Sequence, residues 1–235
     1  MVSNIIVLSC YDLVMEITYL GHSSFKLKNK EGMVLITDPF ESSFVGLPYV
    51  KDVADIVTLS HDHADHNARS MITGPVIREK TFFIDKEGEY EIGGIEIGAI
   101  QTYHDKSEGA ERGMNLATVI RMDGLTVCHL GDLGVKLTEG QVEKLGDIDV
   151  LLVPVGGVYT IDAQEALEVI KDIQPSIVVP MHYKASGMAD GFAGLSTLEQ
   201  FLDKCKLPRL GEPVRKMRIE ESSLPDDTQV LVMSV

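Results

Sequence analysis

Residues 59–66 read LSHDHADH, and this segment says more about the protein than any other part of its sequence. An apolar run from Ile56 ends there in three histidines and two aspartates within six residues. Burying that many polar groups without partners would cost roughly 1 to 3 kcal/mol each. Neutral imidazoles and carboxylates are, however, the ligands that a zinc site requires. We therefore expect the segment to bind metal rather than to form a solvated polar loop.

The spacing of these residues predicts two metal ions. His61 and His63 are two positions apart, so both imidazoles project to the same side if the backbone stays extended. Asp65 and His66 follow on a turn, from which they can reach a second ion. A lone HxH pair is more typical of a solvated loop, whereas the full HxHxDH pattern favours a metal site.

Apolar runs and turn residues predict a single α/β domain. Short β-type runs fill the first half of the chain, and strands then alternate with helices. We predict strands over residues 16–20, 24–27, 34–37, 56–59, 81–84, 95–100, 117–122, 125–130, 150–153, 177–180 and 228–233, and helices over 138–145, 163–171 and 196–205. Asp162 followed three positions later by Glu165 predicts a helix N-cap with its capping box, not a pair of metal ligands.

Further along the chain, the segments QTYHDK, CHLGDLG and VPMHYK place His104, Asp132 and His182 at the ends of strand-like runs. Together with HxHxDH, this order of residues resembles the metallo-β-lactamase superfamily. TYLGHSSFKL, LITDPF, LVPVGGVYT and VVPMHY are similar, more narrowly, to the metal-dependent hydrolase branch that includes the ascorbate-phosphate lactonases. The resemblance begins near Met15 and continues to the end of the sequence.

The resemblance implies an α/β fold, a four-layer αββα sandwich of the metallo-β-lactamase type, with two divalent transition-metal ions at one edge. Carried over position by position, it assigns ligands to both metals: His61, His63 and His104 to the first, Asp65, His66 and His182 to the second, and Asp132 to both. Asp65 and Asp132 are accordingly the expected catalytic residues. Two cations that share a water lower its pKa from about 15.7 toward 7, which provides a bridging hydroxide at neutral pH. Zinc is the expected metal, and manganese and iron suit the same ligands.

Several other residues are expected to support the site without binding metal. Asp38 in TDPF can accept a ring hydrogen bond that fixes the tautomer of a ligand histidine, and His22 in LGHSS can have a similar positioning role. A buried turn with satisfied hydrogen bonds is an equally good interpretation of both. Four residues flank ligand positions and are candidates to hold an anionic or polar substrate, although most charged loop residues are merely solvated: Lys106, Arg112, Tyr183 and Lys184.

His104 and His129 compete for the role of the lone histidine ligand. An extended strand over residues 125–130 turns His129 to the face opposite Cys128 and, if the strand runs on regularly, opposite Asp132 as well. His104 instead follows the alternating run IEIGAIQTY, at the point where polar sequence takes over. We therefore predict that His104 is the ligand and that His129 is a supporting or core residue beside it.

The expected activity is hydrolysis of a small ester, lactone or phosphodiester. A di-iron redox protein on the same scaffold is one alternative, although diflavin-type relatives typically carry a glutamate at the position of His63, followed by a flavin domain. A β-lactamase is another, but those enzymes typically lack an aspartate like Asp132 and are exported, and we expect no export signal here. A nucleic-acid processing enzyme of the same superfamily is a third, but it would normally need an extra domain or a basic clamp, and the net charge of -15 argues against one. A non-catalytic metal-binding protein is the alternative from a different class.

Composition indicates which class of partner and which cellular compartment to expect. A formal net charge of -15 disfavours nucleic acid and anionic membranes, so a small-molecule substrate is expected. No run approaches the ~18 to 20 apolar residues of a membrane span. The three cysteines are odd in number and lack CxxC spacing, which predicts a cytoplasmic protein without disulfides. Residues 1–14 are expected to be an N-terminal extension, either outside the native protein, with translation starting at Met15, or a frayed edge strand. Residues 15–235 are expected to be the hydrolase domain.

Overall fold

Burial alternates along the first strand of the chain, as expected for a sheet with one face on the core. The computed structural model describes residues 14–75 and 80–235. Its strands are β1 (Met15–Gly21), β2 (Ser24–Lys28), β3 (Val34–Thr37), β4 (Asp52–Val53), β5 (Ile56–Thr58), β6 (Ile72–Thr73), β7 (Phe82–Ile84), β8 (Gly88–Ile92), β9 (Ile95–Tyr103), β10 (Met114–Met122), β11 (Leu125–His129), β12 (Val150–Pro154), β13 (Ile177–Met181), β14 (Lys216–Ile219) and β15 (Gln229–Val230). Its α-helices are α1 (Ser42–Val45), α2 (Glu139–Leu145), α3 (Ala163–Ile173) and α4 (Leu198–Lys204), and single 3-10 turns cover Arg69–Met71, Asp190–Phe192 and Glu221–Ser223.

Two mixed β-sheets enclose the main core. One has the strand order β14-β1-β2-β3-β5-β7, and the other has the order β15-β13-β12-β11-β10-β9-β8. Both contribute buried side chains to one apolar cluster, including Ile17, Phe25 and Leu35 from the first sheet and Ile97 and Leu152 from the second. Burying one such side chain contributes roughly 1.5 to 3 kcal/mol, so this shared core holds the two sheets together.

Helices cover the outer face of the second sheet. Strands β11, β12 and β13 run parallel, and the connections between them pass through α2 and α3. These helices and α4 bury a second apolar cluster against the sheet, with Ala166 and Val169 of α3 and Phe201 of α4 among its members. The side chain of Asp162 accepts the N–H groups of Gln164 and Glu165, so the predicted N-cap and capping box of α3 are confirmed.

Most predicted elements are present with shifted ends, but helix α1 and the four strands β4, β6, β8 and β14 were not predicted. The strand predicted over residues 95–100 continues to Tyr103 in β9, whereas that over residues 228–233 shortens to β15. Strands β8 and β14 lie at sheet edges and carry charged side chains such as Glu89 and Arg218 on their exposed face. Charged edge strands protect a sheet from pairing with other chains, and they lack the apolar run that identifies a buried strand.

The predictions about the cysteines and the N-terminal segment fall partly outside the described residues. Cys128 and Cys205 are free and buried, while Cys10 lies outside the described residues. Residues 1–13 also lie outside them, so the proposed division between residues 1–14 and 15–235 stays a prediction. Across residues 14–75 and 80–235, none of the helices combines the length and the apolar character needed to cross a bilayer.

Candidate metal centre

Four strand ends meet at one edge of the sandwich. Because β10 pairs antiparallel with both β9 and β11, and β11 to β13 run parallel, strands β9, β11 and β13 end at the same edge. His104 follows β9, Asp132 lies shortly after β11, and His182 follows β13. In the first sheet, β5 ends just before the LSHDHADH segment. The topology therefore gathers the predicted ligands from both halves of the chain.

The predicted ligands form three overlapping groups. Within each group, one imidazole nitrogen or carboxylate oxygen per residue lies within 4.8 Å of the others. The groups are His61, His63 and His104; His61, His66 and Asp132; and His22, Asp65, His66 and His182. The first is the set predicted for one metal, the last contains the set predicted for the other, and the middle group connects them.

Asp132 lies in the middle of this cluster. Its Oδ2 is 3.1 Å from His182 Nε2, 3.2 Å from His66 Nε2 and 3.5 Å from His104 Nε2. His61 Nε2 is 3.9 Å from the same oxygen. The carboxylate thus faces imidazoles from both predicted ligand sets, which is where a ligand shared by two ions has to be.

The donor atoms of the cluster fit divalent transition-metal ions. Seven of its buried atoms have no hydrogen-bond partner among the described residues: His22 Nδ1, His61 Nε2, His66 Nε2, His104 Nδ1, Asp132 Oδ1 and both ring nitrogens of His182. Each unsatisfied buried polar atom costs about 1 to 3 kcal/mol, so such a concentration is unusual without a ligand. Imidazole nitrogen and carboxylate oxygen are donors that zinc, iron and manganese accept.

Asp38 and Ser60 orient two of the imidazoles. His66 Nδ1 donates to Asp38 Oδ2 over 2.8 Å, which leaves the lone pair of Nε2 directed into the cluster. The Ser60 hydroxyl donates to the same carboxylate oxygen over 2.5 Å, and the Ser60 N–H donates to Oδ1 over 2.7 Å. Because its proton is used in this way, Ser60 Oγ can only accept from His61 Nδ1, 2.8 Å away. Both imidazoles are thereby oriented with Nε2 facing the cluster.

His22 lies on the opposite side of the cluster, beside Asp65. Its Nε2 is 3.1 Å from Asp65 Oδ2, and its backbone carbonyl accepts the hydroxyl of Tyr19 over 2.9 Å. His22, Asp38 and His182 adopt positive φ angles of 55°, 39° and 51°. Such backbone conformations cost on the order of 1 to 3 kcal/mol each in non-glycine residues and concentrate at functional sites. The surrounding sandwich supplies the stability that this strain requires.

The charges of the cluster are strongly coupled. Burial disfavours the charged imidazole and lowers the pKa of His61 to about 3 and that of His22 to about 4. Burial also opposes a charge on His66, but Asp132 and Asp65 hold its pKa well above the ordinary value. Conversely, burial would raise the pKa of Asp132, but His182 and His66 lower it well below the usual range. The two carboxylates thus favour a cation at His66 Nε2, whether a proton or a metal ion.

His104 and His129 occupy different environments. His104 belongs to the same group of potential ligands as His61 and His63. His129 is buried beside the first sheet, where its Nε2 donates to the carbonyl of Ser23 over 2.8 Å and its Nδ1 accepts the N–H of Gly131 over 3.2 Å. Both nitrogens of His129 are therefore engaged in hydrogen bonds. This arrangement supports the choice of His104 as the ligand, which stays a prediction until metal binding is measured.

The cluster opens into a cavity of about 480 Å³, and only one of the four candidate substrate-binding residues lines it. Arg112 lies in its wall. Lys106 instead pairs with Glu165, and the hydroxyl of Tyr183 donates to the carbonyl of Met233 over 3.3 Å. Lys184 is also absent from the cavity wall. The structure thus brings Arg112 to the cluster and leaves the other three candidates away from the cavity.

Asn115 was not singled out from the sequence, although it holds Asp132 in place. It is fully buried in β10, and its Oδ1 accepts the N–H of Asp132 over 2.9 Å. Its Nδ2 donates to the carbonyl of Leu130 over 2.9 Å and to the hydroxyl of Thr102 over 2.7 Å. The only signal in the sequence is a polar residue at the start of an otherwise apolar strand, which is a weak one.

Two facing mixed sheets with imidazoles and carboxylates clustered at one edge define a metal-binding α/β sandwich. A family model described as a β-lactamase superfamily domain matches residues 16–182. This range runs from β1 to the last predicted ligand, His182. The chain therefore belongs to the metallo-β-lactamase superfamily, as its resemblance predicted.

Curated relatives carry the name UPF0173 metal-dependent hydrolase. The protein from Pyrobaculum islandicum is 31% identical over 194 residues, which cover 72% of this chain and 84% of the relative. The protein from Methanocaldococcus jannaschii is 28% identical over 230 residues, which cover 84% of this chain and 99% of the relative. The predicted class, a metal-dependent hydrolase, agrees with these names. The names do not mention ascorbate-phosphate lactonases, so membership of that narrower branch stays a prediction.

Solved structures confirm the predicted sandwich. A candidate Zn-dependent hydrolase of the metallo-β-lactamase superfamily from Thermotoga maritima is 37% identical, with a TM-score of 0.73 over 93% of this chain and 98% of that one. A metallo hydrolase from Ignicoccus hospitalis is 22% identical, with a TM-score of 0.65 over 94% of this chain and 95% of that one. A di-iron β-hydroxylase from Streptomyces venezuelae is 13% identical, with a TM-score of 0.56 over 88% of this chain and 54% of that one. The last two show the fold alone.

Proposed function

We propose that this protein uses two divalent transition-metal ions, zinc before manganese or iron, to hydrolyse a small ester, lactone or phosphodiester. The observation that carries the proposal is the set of buried, unpartnered nitrogen and oxygen atoms around Asp132. One ion is assigned to His61, His63 and His104, the other to Asp65, His66 and His182, and both to Asp132. The grouping of the donor atoms within 4.8 Å supports this division.

When bound, the ions would supply a water that is deprotonated near neutral pH and would polarise the bond that breaks. The protein's own groups prepare that chemistry. Asp38 and Ser60 hold the Nδ1 atoms of His66 and His61, so that both Nε2 atoms face the cluster as candidate ligands. His22 holds one oxygen of Asp65, whose carboxylate lines the cavity and can accept a hydrogen bond from the attacking water.

The family and the size of the cavity support a small-molecule substrate. The relatives are named hydrolases, and the cavity at the cluster has room for a small molecule rather than a polymer. The net charge of -15 also argues against nucleic acid as the substrate. A cytoplasmic location is part of the proposal, because Cys128 and Cys205 are free thiols.

Metal analysis combined with a substrate panel tests the proposal. Protein purified without added metal should carry close to two transition-metal ions per chain by elemental analysis. It should hydrolyse at least one ester, lactone or phosphodiester, lose that activity on chelation, and regain it when zinc or manganese is returned. Hydrolysis by protein free of transition metal would overturn the proposal, and so would hydrolysis of β-lactams alone.

The same preparation separates the alternatives. A di-iron redox protein would retain iron specifically and consume oxygen or an electron donor, without hydrolysing any member of the panel. A non-catalytic metal-binding protein would hold the ions but turn over none of the substrates. The likeness to the di-iron β-hydroxylase shows the fold alone and does not favour the redox alternative.

A further inference from the structure

The cavity beside the cluster has an apolar wall that the ligands do not require. Phe44 of α1, Phe192 and Ala189 line it together with the ligand candidates. The rings of Phe44 and Phe192 pack edge to face with centroids 6.3 Å apart, and Phe44 is 49% exposed. Exposed aromatic side chains beside a polar cluster are a common feature of small-molecule sites, where a few polar groups orient an otherwise apolar ligand.

Apolar packing and a backbone hydrogen bond hold this apolar wall in place. Phe192 packs into a buried cluster with Phe40, Val45 and Met188. The N–H of Ala189 donates to the carbonyl of Val45 over 2.9 Å, which ties the segment that carries Phe192 to α1. The position of Phe44 relative to Phe192 is thus fixed by backbone contacts as well as by apolar packing.

A single cationic side chain, Arg112, lines the cavity. Its guanidinium lies 4.8 Å from the ring centre of Tyr159, whose hydroxyl donates to the carbonyl of Gly191 over 2.8 Å. Within the described part of the chain, the guanidinium has no hydrogen bond or ion pair with another side chain. Stacking on Tyr159 leaves its N–H groups free to bind an anion, and guanidinium binds carboxylate or phosphate in bidentate fashion.

The loop before Arg112 is organised by one carboxylate. Asp105, next to His104, accepts the backbone N–H groups of Ser107 and Gly109 with Oδ1, over 2.8 and 3.0 Å. Its Oδ2 accepts the N–H of Glu111 over 3.1 Å and that of Arg112 over 2.7 Å. The backbone of Arg112 is therefore fixed relative to the ligand His104, as a residue that orients substrate has to be.

We propose that the substrate of this site is amphipathic: it carries an anionic group, carboxylate or phosphate, that binds Arg112, and an aryl or alkyl group that packs on Phe44 and Phe192. This inference rests on the proposed function, because the bond to be broken would lie over the metal ligands between these two contacts. The other charged residues in the cavity wall, Asp65 and Asp132, are assigned to metal. Arg112 therefore provides the charge complementarity in an acidic protein.

Three related probes test the inference by calorimetry, with no turnover required. Benzylsuccinate carries a phenyl ring and two carboxylates, of which one can bind the metals. 4-Phenylbutyrate lacks the second carboxylate, and methylsuccinate lacks the ring. The protein with its native metals should bind benzylsuccinate most tightly, and loss of either group should weaken binding roughly tenfold or more.

Variants of Arg112 and Phe44 test which residue produces each difference in affinity between the probes. Arg112→Gln should bring benzylsuccinate to the affinity of 4-phenylbutyrate and leave 4-phenylbutyrate itself within about twofold, and Arg112→Lys should restore part of the difference. Phe44→Ser should remove the advantage of benzylsuccinate over methylsuccinate. The matched controls Arg209→Gln and Phe82→Ser, at residues outside the cavity wall, should change neither preference.

The outcomes separate this inference from the proposed function. Equal binding of the three probes to metal-loaded protein would overturn the inference while leaving the hydrolase proposal intact. Equal losses in the Arg112 and Arg209 variants would overturn the role of Arg112. Protein that carries no transition metal would contradict the proposed function, and elemental analysis establishes this before any probe is compared. Unchanged thermal unfolding of each variant shows that binding, not folding, has changed.

Discussion

His66 Nδ1 lies 2.8 Å from Asp38 Oδ2, and this contact joins the residue after β3 to the cluster of predicted metal ligands. Both groups are almost completely buried. Burial opposes both charges, but Asp132 and Asp65 raise the pKa of His66, and His66 together with His129 and His61 lowers the pKa of Asp38. Asp38 thus holds the proton at Nδ1 and leaves Nε2 for a ligand inside the cluster.

Asp38→Asn should weaken metal binding by about 10- to 100-fold without removing a ligand. Asp38 accepts hydrogen bonds from the Ser60 N–H, the Ser60 hydroxyl and His66, and an amide NH₂ would replace one acceptor with a donor. Competition with a chelator of known affinity measures the effect. Asp52→Asn, which removes the surface pair with Lys26, is the matched control and should leave metal affinity unchanged. Equal affinities in the two variants would contradict the role of Asp38.

His104→Ala and His129→Ala should differ in metal content. We expect His104→Ala to deplete the first ion and abolish turnover, because its imidazole groups with His61 and His63. His129→Ala should keep both ions and lose at most the ~10 to 100-fold in activity that is typical of a supporting residue. It should lower the free energy of unfolding by about 1 to 3 kcal/mol, because the buried carbonyl of Ser23 loses one of its two donors and the N–H of Gly131 loses its acceptor. A full pair of ions in the His104 variant beside a depleted site in the His129 variant would reverse the assignment.

The sequence predicts the parts of the site that combine a strand end with chemically distinctive residues. His104 and His182 directly follow strands whose apolar runs are clear, and the HxHxDH pattern is unusual in any other context. Asn115 lies in β10 and Ser60 follows β5, and neither has such a signature, because a buried amide or hydroxyl cannot be distinguished from a solvated one by its neighbours in sequence. Their roles depend on hydrogen bonds to Asp132 and Asp38, which are 17 and 22 residues away.

The apolar wall of the cavity could not be predicted from the sequence, for a different reason. Phe44 and Phe192 are 148 positions apart in the sequence, and apolar packing together with the hydrogen bond between Ala189 and Val45 brings them into contact. Arg112 was identified as a candidate together with Lys106, since both flank His104 in the sequence. Only the conformation of the loop held by Asp105 decides which of the two side chains reaches the cavity.

Glu16→Gln should lower stability in a manner that depends on pH. Glu16 bonds Lys216 over 3.0 Å and Arg218 over 2.8 Å, and these contacts, Lys216 first, lower the pKa of Glu16 below its ordinary value of 4.5 despite burial. A lowered folded-state pKa contributes stability above pH 4.5, and this contribution is lost as the pH falls through the folded-state value. Because both partners are about half exposed, we expect a loss of at most about 1 kcal/mol at pH 7.

Urea unfolding of the wild type and the Glu16 variant at pH 7 and pH 3 measures this dependence. The difference in unfolding free energy should be present at pH 7, should shrink at pH 3, and should decrease with added salt. Glu89→Gln, at an exposed position of β8, is the control and should have no such dependence. A difference that grows toward low pH would have the wrong sign for a lowered pKa.

Gly134→Ala should disturb the site without changing any ligand. A Cβ at residue 134 would lie 2.2 Å from the carbonyl carbon of His104 and 2.4 Å from the backbone nitrogen of Asp105. The N–H of Gly134 also donates to the carbonyl of Tyr103 over 2.8 Å, so the two segments cannot separate without losing a hydrogen bond. The added methyl group therefore has to displace the backbone that carries His104.

We expect Gly134→Ala to lower the free energy of unfolding by about 1 to 3 kcal/mol, the usual cost of overpacking, and to reduce occupancy of the ion assigned to His104. Gly140→Ala is the matched control, because nothing lies within 4 Å of a Cβ there and the residue is in α2. It should stabilise the protein by roughly 0.5 to 1 kcal/mol and leave the metals in place. Urea unfolding and elemental analysis of both variants provide the comparison. Full metal occupancy with unchanged activity in Gly134→Ala would show that the position of His104 does not depend on this close backbone contact.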